Sequence, residues 1–320
     1  GNDFSKGDLI MRKVLLATTA LVAMNVSAAQ AADISIYGGM DWSYYSYSDG
    51  TSEYATDGNV KIKATSTDDQ GYTYTVYQSV GIHTSNEEDS SITVSGDFGK
   101  IQMGGADSVI DGMDGDVSHF ANDWTNLTPN HATICSNANF QCRGEAGLYG
   151  AIGGKNHSGD GGNKIGYVSP TMNNVTFAIS SADTADDRLS WALKYKNGPL
   201  AAMYGSGSEG GRDDTAYGIG VTFGETTVRY QKGESKKTGT GAFQVDRTEM
   251  GVTHSMGPVG IFAGTSKEEE KVGAADKFTA NGFGATYSVA PGVTLTTEFW
   301  ENENATTSED SSSVTLSVAF

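Results

Sequence analysis

The sequence predicts an all-β protein, a sixteen-stranded antiparallel β-barrel that crosses a membrane with its strands. Three observations predict it. From Ala32 onward the apolar residues recur with a period of two, the period of a half-buried strand. The strand-like runs are joined alternately by short turns and longer polar connections, as in a membrane barrel with short turns on one side and loops on the other. A secretory leader opens the chain, yet no later apolar stretch approaches the ~20 residues that a membrane helix needs.

The N-terminus comes first. Residues 1–10 read as an upstream extension with no structural role. Met11-Arg12-Lys13, the apolar run from Val14 to Met24 and Ala29-Gln30-Ala31 have the charged, apolar and small-residue regions of a signal peptide over residues 11–31. Without Asp3, Asp8, Lys6, Arg12 and Lys13, the mature segment 32–320 keeps 18 of 21 basic and 37 of 39 acidic residues, a charge of −19 with His neutral. A cytosolic location is excluded by the leader, and a nucleic-acid partner by the charge, since phosphate binding requires the opposite sign.

Sixteen strands follow in order: 33–47, 58–68, 72–83, 91–97, 99–105, 163–169, 174–181, 188–196, 200–205, 215–223, 226–233, 246–255, 259–267, 278–288, 293–301 and 312–320. Asn59 to Thr65 alternates cleanly, and so does Val293 to Phe299. One parity carries Val60, Ile62, Leu189, Trp191, Leu193, Tyr195, Met250, Val252, Val314, Leu316, Val318 and Phe320, and reads as lipid-facing. The other carries Lys61, Lys63, Thr73, Thr75, Arg188, Lys194, Arg229, Glu249 and Glu298, and reads as facing a water-filled interior. Four of the five prolines fall in or beside short turns, such as Asn197-Gly198-Pro199 and Met256-Gly257-Pro258. The expected long connections are 48–57, 84–90, 106–162, 182–187, 206–214, 234–245, 268–277 and 302–311. Closure removes every unpaired strand edge from the hydrocarbon, and sixteen strands enclose an aqueous channel in place of a packed core.

Certain segments resemble a family. Ser95-Gly96-Asp97-Phe98-Gly99-Lys100-Ile101-Gln102-Met103-Gly104 resembles the Gly-x-Phe-Gly corner of general bacterial porins. Asn163-Lys164-Ile165-Gly166-Tyr167-Val168-Ser169-Pro170 is similar to the family's Asn-x-x-x-Tyr-x-Ser-Pro strand after the third loop, and Val314 to Phe320 to its last strand. The resemblance spans the mature chain and is nearest to the porins of alphaproteobacteria. It implies a homotrimer in the outer membrane of a Gram-negative bacterium, in contact with lipid and lipopolysaccharide. It also implies a third loop folded inward as a constriction, and a C-terminal Phe320 read by the outer-membrane assembly machinery.

At 57 residues, the connection 106–162 is far longer than ordinary loops, which favours a functional role. It falls where the resemblance places the constriction loop. Its Asp107, Asp111, Asp114, Asp116 and Asp123 are the candidate acids of an eyelet faced by the wall bases Lys61, Lys63, Arg188, Lys194 and Arg229. Cys135 and Cys142 enclose six residues, and in an exported chain such a pair reads as a disulfide; free thiols and a metal pair are the alternatives, the last with no zinc-like spacing. Asp111-Gly112-Met113-Asp114-Gly115-Asp116 imitates the start of a calcium loop but lacks the closing Glu. A looser Ca²⁺ site at Asp111, Asp114 and Asp116 and an acidic rim without a fixed ion both remain open.

Tyr37, Trp42, Tyr44, Tyr45 and Tyr47 read as an interfacial girdle, with a sugar-stacking slide as the alternative. Glu268-Glu269-Glu270 and Glu87-Glu88-Asp89 read as solvated loop tips. No Gly-x-Ser-x-Gly, Ser-x-x-Lys, His-Glu-x-x-His or phosphate-loop motif is present, so the sequence offers neither a catalytic centre nor a cofactor site. The expected function is passive diffusion of small hydrophilic solutes and ions, weakly favouring cations. A substrate-specific channel and a secreted β-rich adhesin are the alternatives.

Overall fold

The computed structural model describes residues 32–82, 87–105, 109–110, 113, 164–182, 188–209, 211–239, 241–272, 277–304 and 307–320, with the backbone alone at Glu87, Glu88, Arg188 and Glu209. The sixteen strands are β1 (Asp33–Tyr47), β2 (Ser52–Thr67), β3 (Thr73–Gly81), β4 (Glu87–Gly96), β5 (Gly99–Gly104), β6 (Lys164–Val168), β7 (Val175–Ala182) and β8 (Arg188–Asn197), then β9 (Leu200–Glu209), β10 (Arg212–Phe223), β11 (Thr226–Lys237), β12 (Phe243–Met256), β13 (Val259–Val272), β14 (Lys277–Ala290), β15 (Val293–Asn304) and β16 (Ser308–Ala319). Each pairs antiparallel with its neighbours in sequence, and β1 pairs with β16 to close the barrel. Sixteen strands ~4.8 Å apart and tilted by ~40° give a circumference of about 100 Å, a diameter that side chains alone do not fill.

At the closing seam the register runs from Gly39 opposite Ala319 to Tyr47 opposite Ser311. Below it, Gly38 and Phe320 each donate an amide hydrogen to the other's carbonyl at 3.0 Å. The last residue therefore belongs to the ladder, and its ring lies on the outer face with Phe320 67% exposed.

Period-two alternation holds along the strands. Ile34, Ile36, Trp42, Ile62, Leu189, Leu193, Met250, Val252, Leu295, Phe299, Val314, Leu316 and Val318 are exposed on the outer face, the apolar band of a barrel seated in lipid. Interior positions carry Ser43, Ser79, Glu249, Glu298, Ser313 and Thr315, all buried.

The strands, however, outrun their sequence-predicted ends on one side. β2 begins at Ser52, β9 reaches Glu209, β11 reaches Lys237 and β13 reaches Val272. The expected long connections 48–57, 206–214, 234–245, 268–277 and 302–311 are thereby short, and the sorting of connections by length is largely confined to the segment between β5 and β6. A fourteen-residue strand such as β13 is about 46 Å long and, tilted by ~40°, rises ~35 Å, which exceeds the ~25 Å apolar band. Its upper end stands in water on both faces, so the ladder continues there without alternating hydrophobicity.

The same correction applies to the charge runs. Glu268, Glu269 and Glu270 lie within β13, with Glu268 and Glu270 buried at 1% and 4% on the inner side. Glu269 faces outward, where Lys271 Nζ is 2.7 Å from its carboxylate. Glu87-Glu88-Asp89 opens β4 and is not a loop tip. The aromatic cluster also splits. Trp42 and Tyr44 point outward and meet Tyr54 at centroid distances of 5.6 and 5.1 Å, whereas Tyr45 and Tyr47 are buried inside.

Tyr45 and Tyr47 belong to an interior cluster with Phe262, Phe278, Ala280 and Trp300. β16 lies between β15 and β1 yet contributes none of these residues. Its inward Ser311, Ser313 and Thr315 are small and buried, which lets large side chains from the two sides close over the seam. Gly282 is what seats Trp300, since a Cβ there would fall 1.9 Å from the indole ring.

Candidate functional site

The lumen is shaped first by the strands that flank the long connection. Gly99 has φ +108°, and a Cβ there would lie 2.2 Å from the Val168 carbonyl oxygen. Only glycine fits the corner. Tyr167 donates its hydroxyl to the Phe98 carbonyl at 2.8 Å, and the amide of Phe177 donates to Ser169 Oγ at 2.9 Å. The two family-like motifs thus bind each other at the foot of β5 and β6, two of the shortest strands.

Above that foot, the first described residues of the connection fold into the barrel. Val109, Ile110 and Met113 are buried against Ala178, Ala192, Ala201, Met203 and Ala216, with Val168 beside them. Those wall residues occupy inward register positions on β6 to β10. The small side chains form a shallow seat, and Gly166 deepens it, because a Cβ at Gly166 would fall 2.6 Å from Val109 Cγ2. This apolar seat holds Val109, Ile110 and Met113 by excluding water from both surfaces.

The candidate wall bases fall on the inner side as far as they are described. Lys61 is in register with Tyr37 and Ser79, Lys63 with Ser35 and Tyr77, Lys194 with Thr176 and Met203, and Arg229 with Gly220 and Gly251. Arg188 begins β8 opposite Ala182, and its side chain lies outside the described residues. Asp107, Asp111, Asp114, Asp116, Asp123, Cys135 and Cys142 also lie outside them, so neither the eyelet acids, the calcium alternative nor the disulfide is brought into the described interior.

Charge on the inner wall is mixed, because Asp41, Glu53, Asp57 and Asp89 occupy inward positions on β1, β2 and β4 on the same side as the lysines. Lys61, Lys63, Lys100, Lys164, Lys194 and Lys196 occupy inward positions on β2, β5, β6 and β8. The carboxylates Glu249, Glu268, Glu270 and Glu298 occupy β12, β13 and β15, all at most 4% exposed. Among them runs an ionic chain that no spacing motif announced. Arg212 Nε meets Asp214 Oδ1 at 3.0 Å, Arg212 and Arg247 both donate to Ser235 Oγ at 2.8 and 2.5 Å, and Arg247 Nε lies 3.6 Å from Glu268 Oε2. Phe243 covers Arg212 at 5.6 Å. Burying such charges is tolerable because each has a partner of opposite sign or a hydroxyl. Outside the barrel wall, at the tip joining β1 to β2, the Thr51 hydroxyl and amide hold the Asp49 carboxyl below the usual carboxylate range.

The barrel is thus closed, has sixteen strands and carries Val109, Ile110 and Met113 on its inner wall. The profile of the Gram-negative porin family matches residues 17–307. The chain belongs to the Gram-negative porin family.

The solved structures that this porin resembles carry the same architecture at low identity. They include an anion-selective porin from Comamonas acidovorans, 15% identical with a TM-score of 0.64 over 90% of this chain and all of that one. OmpT, an outer membrane protein of Vibrio cholerae in trimer form, is 11% identical with a TM-score of 0.69 over 91% of this chain and all of that one. A mutant of the Rh. blastica porin is 15% identical with a TM-score of 0.63 over 90% of this chain and all of that one. No curated protein matches this porin.

Sequence reasoning missed Lys100, Lys164 and Lys196 as inward bases, although strand parity could have found each. It also missed the alanine seat. Alternation of Ala178, Ala192, Ala201 and Ala216 with larger outward residues is visible, but which small residues face a folded-in loop is not.

Proposed function

We propose that this porin is a passive channel for small hydrophilic solutes and ions, with a weak preference for cations. The observation that supports the reading is the seating of Val109, Ile110 and Met113 on the inner wall, because these residues stand next in sequence to the acids of the segment. Residues 106–162 hold Asp107, Asp111, Asp114, Asp116, Asp123, Glu145 and Asp160 against Arg143 and Lys155, so 7 − 2 leaves five net negative charges. The described wall contributes no comparable excess, since its inward lysines and arginines are offset by inward carboxylates on β1, β2, β4, β10, β12, β13 and β15. Lys61, Lys63, Arg188, Lys194 and Arg229 form the basic side, and the opposed charges orient dipolar solutes as they pass.

The fold leaves the sign of selectivity open, given that a similar barrel is anion-selective in Comamonas acidovorans. Residue charge decides it. The trimer form of OmpT supports a homotrimer here, with each barrel a separate pore. Export by residues 11–31, an assembly signal at Phe320 and a loop disulfide between Cys135 and Cys142 complete the reading. Swelling of proteoliposomes in isotonic sugars of increasing size tests it. Uptake should fall smoothly with solute size, whereas saturable uptake of one sugar class would identify a substrate-specific channel.

A further inference from the structure

Mixed around the circumference, the charge of the described wall is sorted along the axis. The short turns mark one rim of the barrel, and height is counted upward from it along each strand. The six inward lysines on β2, β5, β6 and β8, together with Arg229 on β11, all stand within six residues of the turn-side ends of their strands. Six residues of a strand tilted by ~40° rise about 15 Å. The described inward acids in that zone are Asp33 and Glu298, so 7 − 2 leaves five net positive charges. Asp68, Asp69, Asp97 and Glu225 belong to the turns themselves and not to the wall.

Above that height the sign reverses. Asp41, Glu53, Asp57, Asp89 and Glu309 hold inward positions seven to fourteen residues from the same rim. With Asp214, Glu249, Glu268 and Glu270 they make nine acids against Arg212, Lys237 and Arg247, so 9 − 3 leaves six net negative charges among the described side chains. Asp214 and Glu268 are buried against Arg212 and Arg247. The first five acids are not buried, and neither is any of the seven bases below them, so these are the charges that meet the water of the lumen. The two zones join where Lys61 and Asp89 stand in one row on either side of Ser79.

We infer that the lumen is a charge junction that rectifies ion flow, passing more current when the loop side is positive than when it is negative. The inference rests on the passive-channel reading above. The acidic zone concentrates cations and the basic zone anions, as rings of fixed charge do in a pore. With the loop side positive, cations enter through the acidic zone and anions through the basic one. Each zone then delivers the ion it concentrates to the junction, where salt accumulates and conductance rises. With the loop side negative, each ion must enter through the zone that repels it, so the junction is depleted and conductance falls. Salt screens both zones, which makes the asymmetry a property of dilute solutions.

The test is single-channel recording of the full porin in a planar bilayer with equal KCl on both sides. A biotin on Asp49→Cys, in the tip joining β1 to β2, lets streptavidin added to one chamber report which side carries the loops. At ~0.1 M, where the Debye length is ~10 Å, the current with the loop side positive should exceed the reverse current by roughly twofold, and at ~1 M, where it is ~3 Å, the two should converge. Asp41→Asn with Asp57→Asn should flatten the low-salt ratio, and so should Lys194→Gln with Lys196→Gln. Lys232→Gln with Lys267→Gln, at outward positions on β11 and β13, should leave it unchanged. Equal currents in the wild type at low salt would overturn the junction, as would a larger current with the loop side negative or a ratio that neither inner-wall pair moves. A protein that forms no conducting pore at all would overturn the passive-channel reading itself, and the junction with it.

Discussion

The Tyr167 hydroxyl donates to the backbone carbonyl of Phe98 at 2.8 Å, tying the strand that leaves the long connection to the turn before the strand that enters it. β5 and β6 have few ladder bonds of their own, so this single bond matters more than it would between long strands. Tyr167→Phe keeps the ring and loses about 0.5–1.5 kcal/mol. Urea unfolding in detergent should show that loss, and single-channel records should show more open-state noise.

Val109 in the alanine seat is the second point of attachment. Val109→Asn puts an amide against Ala178 and Ala192 and should release the start of the connection while leaving barrel closure intact. Conductance should rise or fluctuate with an unchanged far-UV spectrum. An unaltered conductance would mean that residues beyond Met113 fix the connection by themselves.

Arg247 is fully buried between Ser235 and Glu268. Removing one member of a buried pair costs about 3–5 kcal/mol, since the other charge is left uncompensated. Arg247→Ala should therefore lower stability strongly, and Arg247→Ala combined with Glu268→Ala should recover part of the loss. Urea midpoints of the two variants check both statements.

Trp300 closes over the seam with Tyr45 and Tyr47. Trp300→Ala should cost about 3–5 kcal/mol and lower the temperature at which the barrel loses its heat-modifiable gel mobility. Phe299→Ala, one residue away on the lipid face, should lower it far less.

Strand number, order and parity were legible in the sequence because lipid imposes alternation on every residue within its reach. Val60 to Lys63 and Val314 to Phe320 show this plainly. Where a strand rises past the membrane that constraint ends, which is why Glu268-Glu269-Glu270 looks like a loop although Glu268 and Glu270 face the lumen and Glu269 the outer surface. The inner aromatic cluster was illegible for a related reason. Trp300 and Phe262 stand next in sequence to the lipid-facing Phe299 and Ile261, and hydrophobicity alone does not say which of two adjacent apolar residues turns inward. Of the lumen, Lys61, Lys63, Lys194 and Arg229 followed from parity, whereas the Arg212–Ser235–Arg247 chain joins residues far apart in sequence that only register brings together.

Reversal potentials across a KCl gradient test cation preference most directly. One net charge ~7 Å from an ion in a water-like medium is worth about 0.6 kcal/mol, or roughly threefold in local concentration. With a Debye length of ~8 Å at 0.15 M and ~3 Å at 1 M, the preference should be clear at low salt and fade at high salt. Replacing Asp111, Asp114 and Asp116 together with Asn should diminish it, and Lys61→Glu with Lys63→Glu should enlarge it. The predicted result is a cation-selective wild-type pore at low salt; an anion-selective one would contradict it and assign the narrowest zone to the wall bases.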